Sequence, residues 1–266
     1  MVIDIMGIDD KGNVHRTTEQ AIRILDAIRR GNGATISDLL SEFDISRSTL
    51  YTHLNTLADS GLVIRENGRY WVGIRFKEFS VAAETRKPSY QILKSEIKNL
   101  EDEFEAETEF LVEETGRINV LYHSENINHN RVRLHAHNTA AGKAILADLP
   151  DERVHEILDE HGLPQQTENT ITDRDELFEE LENISKRGYA YNNNECFDGY
   201  HGIGATVDGI DGSILGAVTL GGPIYRIPEN RLKNELVDAL QDMIDEIERS
   251  IEANRSNITS ELASED

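Results

Sequence analysis

Cysteine is almost missing from this chain. Cys196 is the single thiol in 266 residues, which excludes an intrachain disulfide and any zinc or iron-sulfur centre built on several cysteines. Long apolar runs are missing too. None approaches the roughly 18 residues that a membrane-crossing helix needs, so no membrane partner is expected. The opening residues, Met1-Val2-Ile3-Asp4-Ile5-Met6, have no basic flank and meet aspartate at once. They do not read as a secretory signal, and the expectation is a cytoplasmic protein. Neither an internal repeat nor a low-complexity tract is present. Lysine is scarce as well, with positions 11, 77, 87, 94, 98, 143, 186 and 233 the only lysines among 27 Lys plus Arg.

What is abundant is acid. Fifty Asp and Glu against those 27 basic residues give a formal net charge of -23, which taken alone argues against a nucleic-acid partner. The deficit is uneven, however. From Arg16 to Arg75, arginines at 16, 23, 29, 30, 47, 65, 69 and 75 slightly outnumber the acids at 19, 26, 38, 42, 44, 59 and 66, so the rest of the chain holds the whole negative excess. An acid-rich, lysine-poor composition suits a halophile, in whose molar salt a Debye length of about 3 Å mutes self-repulsion. An ordinary acidic protein is the alternative. The length fits two domains of ordinary size.

The segment 16–75 reads as three helices and a hairpin. Thr17-Thr18-Glu19-Gln20 has capping-box spacing ahead of the apolar run Ala21, Ile22, Ile24, Leu25 and Ile28. Thr35 to Asp38 repeats that signal for a short second helix, and the bend Phe43-Asp44-Ile45 follows. Ser46 caps a third helix whose Leu50, Leu54 and Leu57 form one apolar face closing at Gly61. Asn67-Gly68 between two β-prone runs, 62–65 and 69–72, signals a tight hairpin, since both turn positions need positive φ.

Three helices followed by such a wing form a winged helix-turn-helix. One face of the third helix packs inward, while the other carries short polar and cationic side chains able to reach base edges in a major groove. The candidate DNA-contacting residues are therefore Ser46, Arg47, Ser48, Thr49, Tyr51, Thr52 and Asn55 on this helix, with Arg65, Arg69 and Tyr70 on the wing. The expected partner is a double-stranded operator. The bland alternative is a small helical domain that contacts proteins.

Apolar positions 76, 79 and 83 predict a linker helix over 76–87, ended by Lys87-Pro88. Beyond it, over 88–254, helices are expected at 92–104, 140–147, 151–161, 173–187 and 229–253. Strands are expected at 109–113, 117–124, 131–137, 202–207 and 213–220, and residues 255–266 form a polar tail.

At this point the residues carry a resemblance. Ser46-Arg47-Ser48-Thr49-Leu50-Tyr51 and Asp59-Ser60-Gly61-Leu62-Val63 resemble the amino-terminal domain of IclR-type transcription regulators. His137-Asn138-Thr139-Ala140-Ala141-Gly142-Lys143-Ala144-Ile145-Leu146-Ala147, Arg187-Gly188-Tyr189-Ala190 and Gly221-Gly222-Pro223 resemble later landmarks of that family. The resemblance implies an α+β chain, with an N-terminal winged helix-turn-helix and a GAF-like effector-binding domain on a central antiparallel sheet. It also implies a homodimer or dimer of dimers, no cofactor, and a small-molecule effector such as a carboxylate or sugar-derived metabolite, in control of a catabolic or metabolic operon. Carried over by position, the effector pocket uses Ala140, Ala141, Asn192, Tyr200, Gly202, Thr219 and Gly221. Gly202 stands where the family usually has cysteine and Asn192 where it usually has aspartate, so the ligand does not transfer by analogy.

Other chemistry is thinly supported. Gly142-Lys143 lacks the flanks of a phosphate-binding loop, and 199–204 lacks the context of a dinucleotide loop. His135 and His137 share one face of the expected strand, but no metal site is expected. Cys196 in a polar loop is expected to have no chemical role. The rival of another class is an enzyme on the second half, whose catalytic set would have to include Glu195, Cys196 and His201 without an orienting third group.

Overall fold

In the computed structural model, which describes residues 15–100, 106–124 and 134–256, the chain divides between Arg86 and Lys87 into two units. The first holds α1 (Arg16–Arg30), α2 (Ile36–Glu42), α3 (Arg47–Asp59), the hairpin β1 (Val63–Glu66) and β2 (Arg69–Val72), and α4 (Phe76–Thr85). Its core is small: Ile24 and Ile28 of α1, Leu39 of α2 and Leu50 and Leu54 of α3 are fully enclosed, and Val63 and Tyr70 of the hairpin close it. Thr35 and Asp38 exchange the two hydrogen bonds of a capping box, and Asn67 and Gly68 sit at φ 50 and 81, as a two-residue hairpin turn requires. The expected box at Thr17 does not form. Because His15 is already extended, the helix begins at Arg16, and Thr17 lies inside its first turn.

The second unit is a five-stranded antiparallel sheet with helices on both faces. Its elements are α5 (Pro88–Leu100), β3 (Glu107–Glu114), β4 (Arg117–His123), α6 (Ala140–Asp148), α7 (Asp151–His161), α8 (Arg174–Arg187), β5 (Ala190–Asn193), β6 (Tyr200–Asp208), β7 (Ile214–Pro223), α9 (Glu229–Asn234) and α10 (Leu236–Ala253). The strand order is β4-β3-β7-β6-β5. Alternation along β3 divides the core in two. Phe110 packs with Leu93 and Ile97 of α5 and Leu240, Met243 and Ile247 of α10, whereas Leu111 packs with Ile145 of α6, Ile157 of α7 and Leu177 of α8.

Three expectations change here. Of the strand expected at 131–137, residues 131–133 lie outside the described residues. Ala136–Asn138 is a 3-10 turn, because Thr139 folds the chain back into α6 by donating its hydroxyl to the His135 carbonyl. The helix expected over 229–253 is interrupted at Glu235. Finally, β5 has no counterpart in the sequence reading, since two of its four residues are asparagine, a poor strand former that pairing with β6 overrides.

Two glycines fix the position of α6. A Cβ on Gly142 would lie 2.3 Å from the Ala136 carbonyl oxygen, and one on Gly204 would lie 3.0 Å from the Ala141 nitrogen. Both contacts are possible only without a side chain: the first packs α6 against the turn at Ala136–Asn138, and the second brings its start down onto β6.

Candidate functional site

Two surfaces bear on function. On α3 the buried residues are Leu50, His53, Leu54 and Leu57, leaving Arg47, Ser48, Thr52, Asn55 and Thr56 exposed on the other side. The Ser46 hydroxyl accepts from the Thr49 amide at 3.1 Å and lies 2.8 Å from the hydroxyls of Ser48 and Thr49. Ser46 and Thr49 thus hold the helix start, where unpaired amides and the dipole also favour a phosphate. Thr52 donates to the Ser48 carbonyl at 3.0 Å, which keeps its oxygen available as an acceptor. Tyr51 is half-buried.

The arginines of this unit divide into two groups. Arg29 and Arg30 are ion-paired with Asp26, Arg30 also with Glu42, and Arg75 with Glu78. Among the described residues no carboxylate pairs with Arg47 or Arg65. Arg65 is exposed on β1 and lies over the Tyr70 ring at 5.5 Å. Arg69 is half-buried and donates to the Gly33 carbonyl at 2.8 Å. Tyr70 is a correction to the expected contact set. It is only 4% exposed, and its backbone bridges Ala34, so the side chain belongs to the core rather than to a DNA-facing surface.

The second surface is a cavity where α6 begins. Ala140, Ala141, Asn192, Tyr200, Gly202 and Thr219 all line it, together with Glu109, Leu111, Leu134, Thr139, Cys196 and Phe197. Gly221 lies beneath Tyr200 instead, since a Cβ there would come within 2.5 Å of the tyrosine oxygen. The free volume is about 20 Å³, enough for about one water, so a metabolite has to displace part of the wall. The segment carrying Phe197 and Tyr200 closes one side of the cavity, the two rings meeting edge to face at 6.1 Å.

That segment is tied down from behind. Asn192 accepts from the Glu195 amide at 3.0 Å and donates to the Cys196 sulfur at 2.6 Å, which turns Cys196 inward to 5% exposure. A cysteine expected in a polar loop is therefore part of the cavity wall. Nearby, the Lys143 ammonium reaches both oxygens of Glu195 at 2.6 and 2.7 Å, with both residues buried. Burial pushes the Glu195 carboxyl above its ordinary range, and the Lys143 charge opposes that shift.

The set Glu195, Cys196 and His201 does not assemble. Glu195 is engaged by Lys143, and His201 follows the cavity-lining Tyr200 on β6 and so points to the opposite face, where its Nδ1 lies 2.9 Å from the Ile227 carbonyl oxygen. His137 is buried and donates from Nε2 to the Pro164 carbonyl at 3.2 Å, and burial lowers its pKa to about 4. Among the described residues no group of three or more His, Cys, Asp or Glu is placed to hold a metal, and no helix is long and apolar enough to cross a membrane.

Of the cavity residues, Glu109, Leu111, Leu134, Thr139, Cys196 and Phe197 escaped the sequence reading of the pocket. Only Thr139 had a local signal, as the cap three residues before Gly142. The others are brought together only by the fold.

Comparison with known proteins agrees with this geometry. Residues 91–249 match the family model "Bacterial transcriptional regulator IclR C-terminal", and residues 20–66 match a helix-turn-helix domain model. A Halobacterium salinarum protein described as "Probable HTH-type transcriptional regulator ArcR" is 30% identical over 255 residues, covering 91% of this chain and 97% of that protein. The crystal structure of the Thermotoga maritima IclR is similar, with a TM-score of 0.69 and 25% identity over 89% of this chain and 98% of that one. An IclR homolog from Microbacterium hydrocarbonoxydans, complexed with 4-hydroxybenzoate, is similar at a TM-score of 0.71 and 22% identity, covering 89% of this chain and 99% of that one.

Proposed function

The chain belongs to the IclR family of transcriptional regulators, with a helix-turn-helix DNA-binding part and an IclR-type effector part, and from that premise we propose how its two surfaces divide the work. The exposed face of α3 enters the major groove of a pseudo-palindromic operator. Arg47, Ser48, Thr52 and Asn55 read bases, Ser46 and Thr49 hold the helix start against phosphate, and Tyr51 flanks them. Arg65 and Arg69 on the hairpin take the neighbouring backbone. The observation that carries this reading is Arg47, a guanidinium at the first position of α3 with no carboxylate partner among the described residues.

A small metabolite, a carboxylate or a sugar-derived compound, occupies the cavity at Ala140, Ala141, Asn192, Tyr200, Gly202 and Thr219, with Gly221 beneath. The start of α6 supports an acidic group there, because helix N-termini receive anions. The molecule works in the cytoplasm as a homodimer or a dimer of dimers and controls a catabolic or metabolic operon. The exposed Phe79 and Val81 of α4 and Ile74 before it, 52%, 55% and 82% accessible, support a further copy packing on that side.

Footprinting on DNA upstream of the protein's own gene tests the first part. A protected, two-fold symmetric site that disappears in R47A is the expected result; equal protection by R47A, T52A and Y51A together removes α3 from the reading. Calorimetric titration with candidate carboxylates and sugars, with and without operator, tests the second. Equal affinity in both conditions eliminates effector control, because coupling between the sites must appear in both directions.

A further inference from the structure

Asn192 and Cys196 line the effector cavity, whereas Asn193 and Glu195 line an open cleft of about 650 Å³ that shares no lining residue with that cavity. Its volume is that of a small-molecule site, roughly 300–1,000 Å³. The buried Lys143–Glu195 pair forms the floor. One rim is the segment 165–172, locked in place because the Thr167 hydroxyl donates to the Asn194 carbonyl at 2.6 Å and the Thr170 hydroxyl to the Glu195 carbonyl at 2.7 Å. The other is the face of α8 that carries Glu176, Glu180 and Arg187.

The lining sets the chemistry of the ligand. Apolar surface is scarce, limited to Ile171 and the ring of Tyr191, and Arg187 already lies 5.1 Å from that ring's centre. Both cations are committed, Lys143 to Glu195, and Arg187 to Glu180 at 2.8 Å and to the Tyr189 carbonyl at 2.6 Å. Glu168 and Glu176 form no ion pair among the described residues, so an entering carboxylate or phosphate sets its charge against theirs. What remains is a mixture of hydrogen-bonding groups. Those two carboxylates accept, the side-chain amides of Gln165, Asn169 and Asn193 both donate and accept, and Arg187 has donors to spare. A hydroxyl likewise donates and accepts, and several on one small ring satisfy such a set without bringing charge.

We propose that this cleft is a second small-molecule site, which takes a neutral, hydroxyl-rich ligand such as a monosaccharide. It goes beyond the effector reading and does not depend on what fills the smaller cavity. Its occupant bears on that cavity all the same, because Lys143 follows Ala140 by one turn of α6 and Glu195 lies between Asn192 and Cys196.

The test is calorimetric titration of the full-length protein with neutral sugars and their matched acids: glucose and glucuronate, galactose and galacturonate, mannose and mannuronate. At least one neutral sugar should bind, about tenfold tighter than its acid. E168A/E176A, a change confined to exposed carboxylates, should lower that affinity about tenfold, the loss of hydrogen bonds to charged groups, while circular dichroism shows the fold intact. E168Q/E176Q, which keeps the size and removes the charge, should narrow the preference over the acid. No binding by any neutral sugar, equal binding of sugar and acid, or an affinity that E168A/E176A leaves intact each overturns the site. Tighter binding of putrescine than of any sugar overturns the ligand class. Sugar binding that is lost in G202L and kept in E168A/E176A puts the sugar in the effector cavity instead, a different failure from the loss of the effector reading.

Discussion

Arg47 stands first in α3 behind a serine cap, whereas Arg29 and Arg30 are already paired with Asp26 and Glu42. A guanidinium held this way can make a bidentate contact to a guanine edge, so R47A should weaken operator binding by about 1–3 kcal/mol in a gel-shift titration. R47K should recover only part, because an ammonium lacks the planar fork. Lys143 and Glu195 form a different kind of pair, buried and structural. Removing one partner of such a pair leaves an uncompensated charge, so K143M should lower unfolding stability by about 3–5 kcal/mol, and K143M/E195Q should be more stable than K143M alone. Urea unfolding of the three proteins checks this, and additive losses would contradict it. His137 gives the pH dependence. Its pKa falls from 6.5 to about 4 on burial, so between those values the unfolded chain takes up a proton that the fold refuses. Stability should therefore decline as pH drops through that window, by at most about 3.5 kcal/mol at roughly 1.4 kcal/mol per unit. H137N, which keeps a donor for Pro164, should show a shallower decline; parallel curves would remove His137 as the cause.

The elements explain which of these residues were readable in advance. In the first unit the signals are local: Ser46 capping α3, leucines at 50, 54 and 57, and Asn67-Gly68 each fix geometry within a turn or two, and the structure has all of them. Tyr70 was misassigned for the complementary reason. Alternation in a hairpin says that one face is inward but not which, and the deciding contact is the bridge to Ala34, far back in the sequence. The cavity depends on such distant pairings throughout. Glu109, Cys196 and Asn192 meet through β3–β7, β6–β7 and β5–β6, and none of these registers is encoded locally. Resemblance to a family supplied the positions on α6, β5, β6 and β7, and it could not supply Glu109. The placement of α6 itself can be tested through Gly142. A methyl there would meet the Ala136 carbonyl at 2.3 Å, backbone that cannot swing aside, so G142A should cost about 1–3 kcal/mol as an overpacked site. It should also shift α6, and with it the amides of Ala140 and Ala141, away from the turn at Ala136–Asn138. The expected readout is a lower urea midpoint together with weaker effector binding; unchanged values for both would mean that α6 is free to rise without consequence.

For the whole molecule the governing quantity is charge. A formal net charge of -23 opposes approach to DNA wherever it is unscreened, and the positive surface available to offset it is small. Arg47 and Arg65 are exposed and without a carboxylate partner among the described residues, while Arg69 is half-committed to Gly33. Affinity gained from counterion release scales with the number of phosphates neutralised, with a slope of about -0.9 per contact. In a dimer, the two backbone-facing cations of each head, Arg65 and Arg69, give a slope of about -4 for log affinity against log salt, compared with about -10 for a strongly basic repressor. Screening works in the other direction. As salt rises, the Debye length shrinks toward about 3 Å and repulsion between the acidic body and the duplex fades. The two effects partly cancel, so base-edge contacts from α3 and bridging water must carry a larger share of the affinity than phosphate contacts do. Operator titrations between about 0.2 and 2 M potassium chloride should therefore show a slope no steeper than about -4, and R47A should change the intercept more than the slope. A slope near -10 would show that many more cations reach the backbone than α3 and the hairpin expose, and would shift the binding surface to another part of the chain.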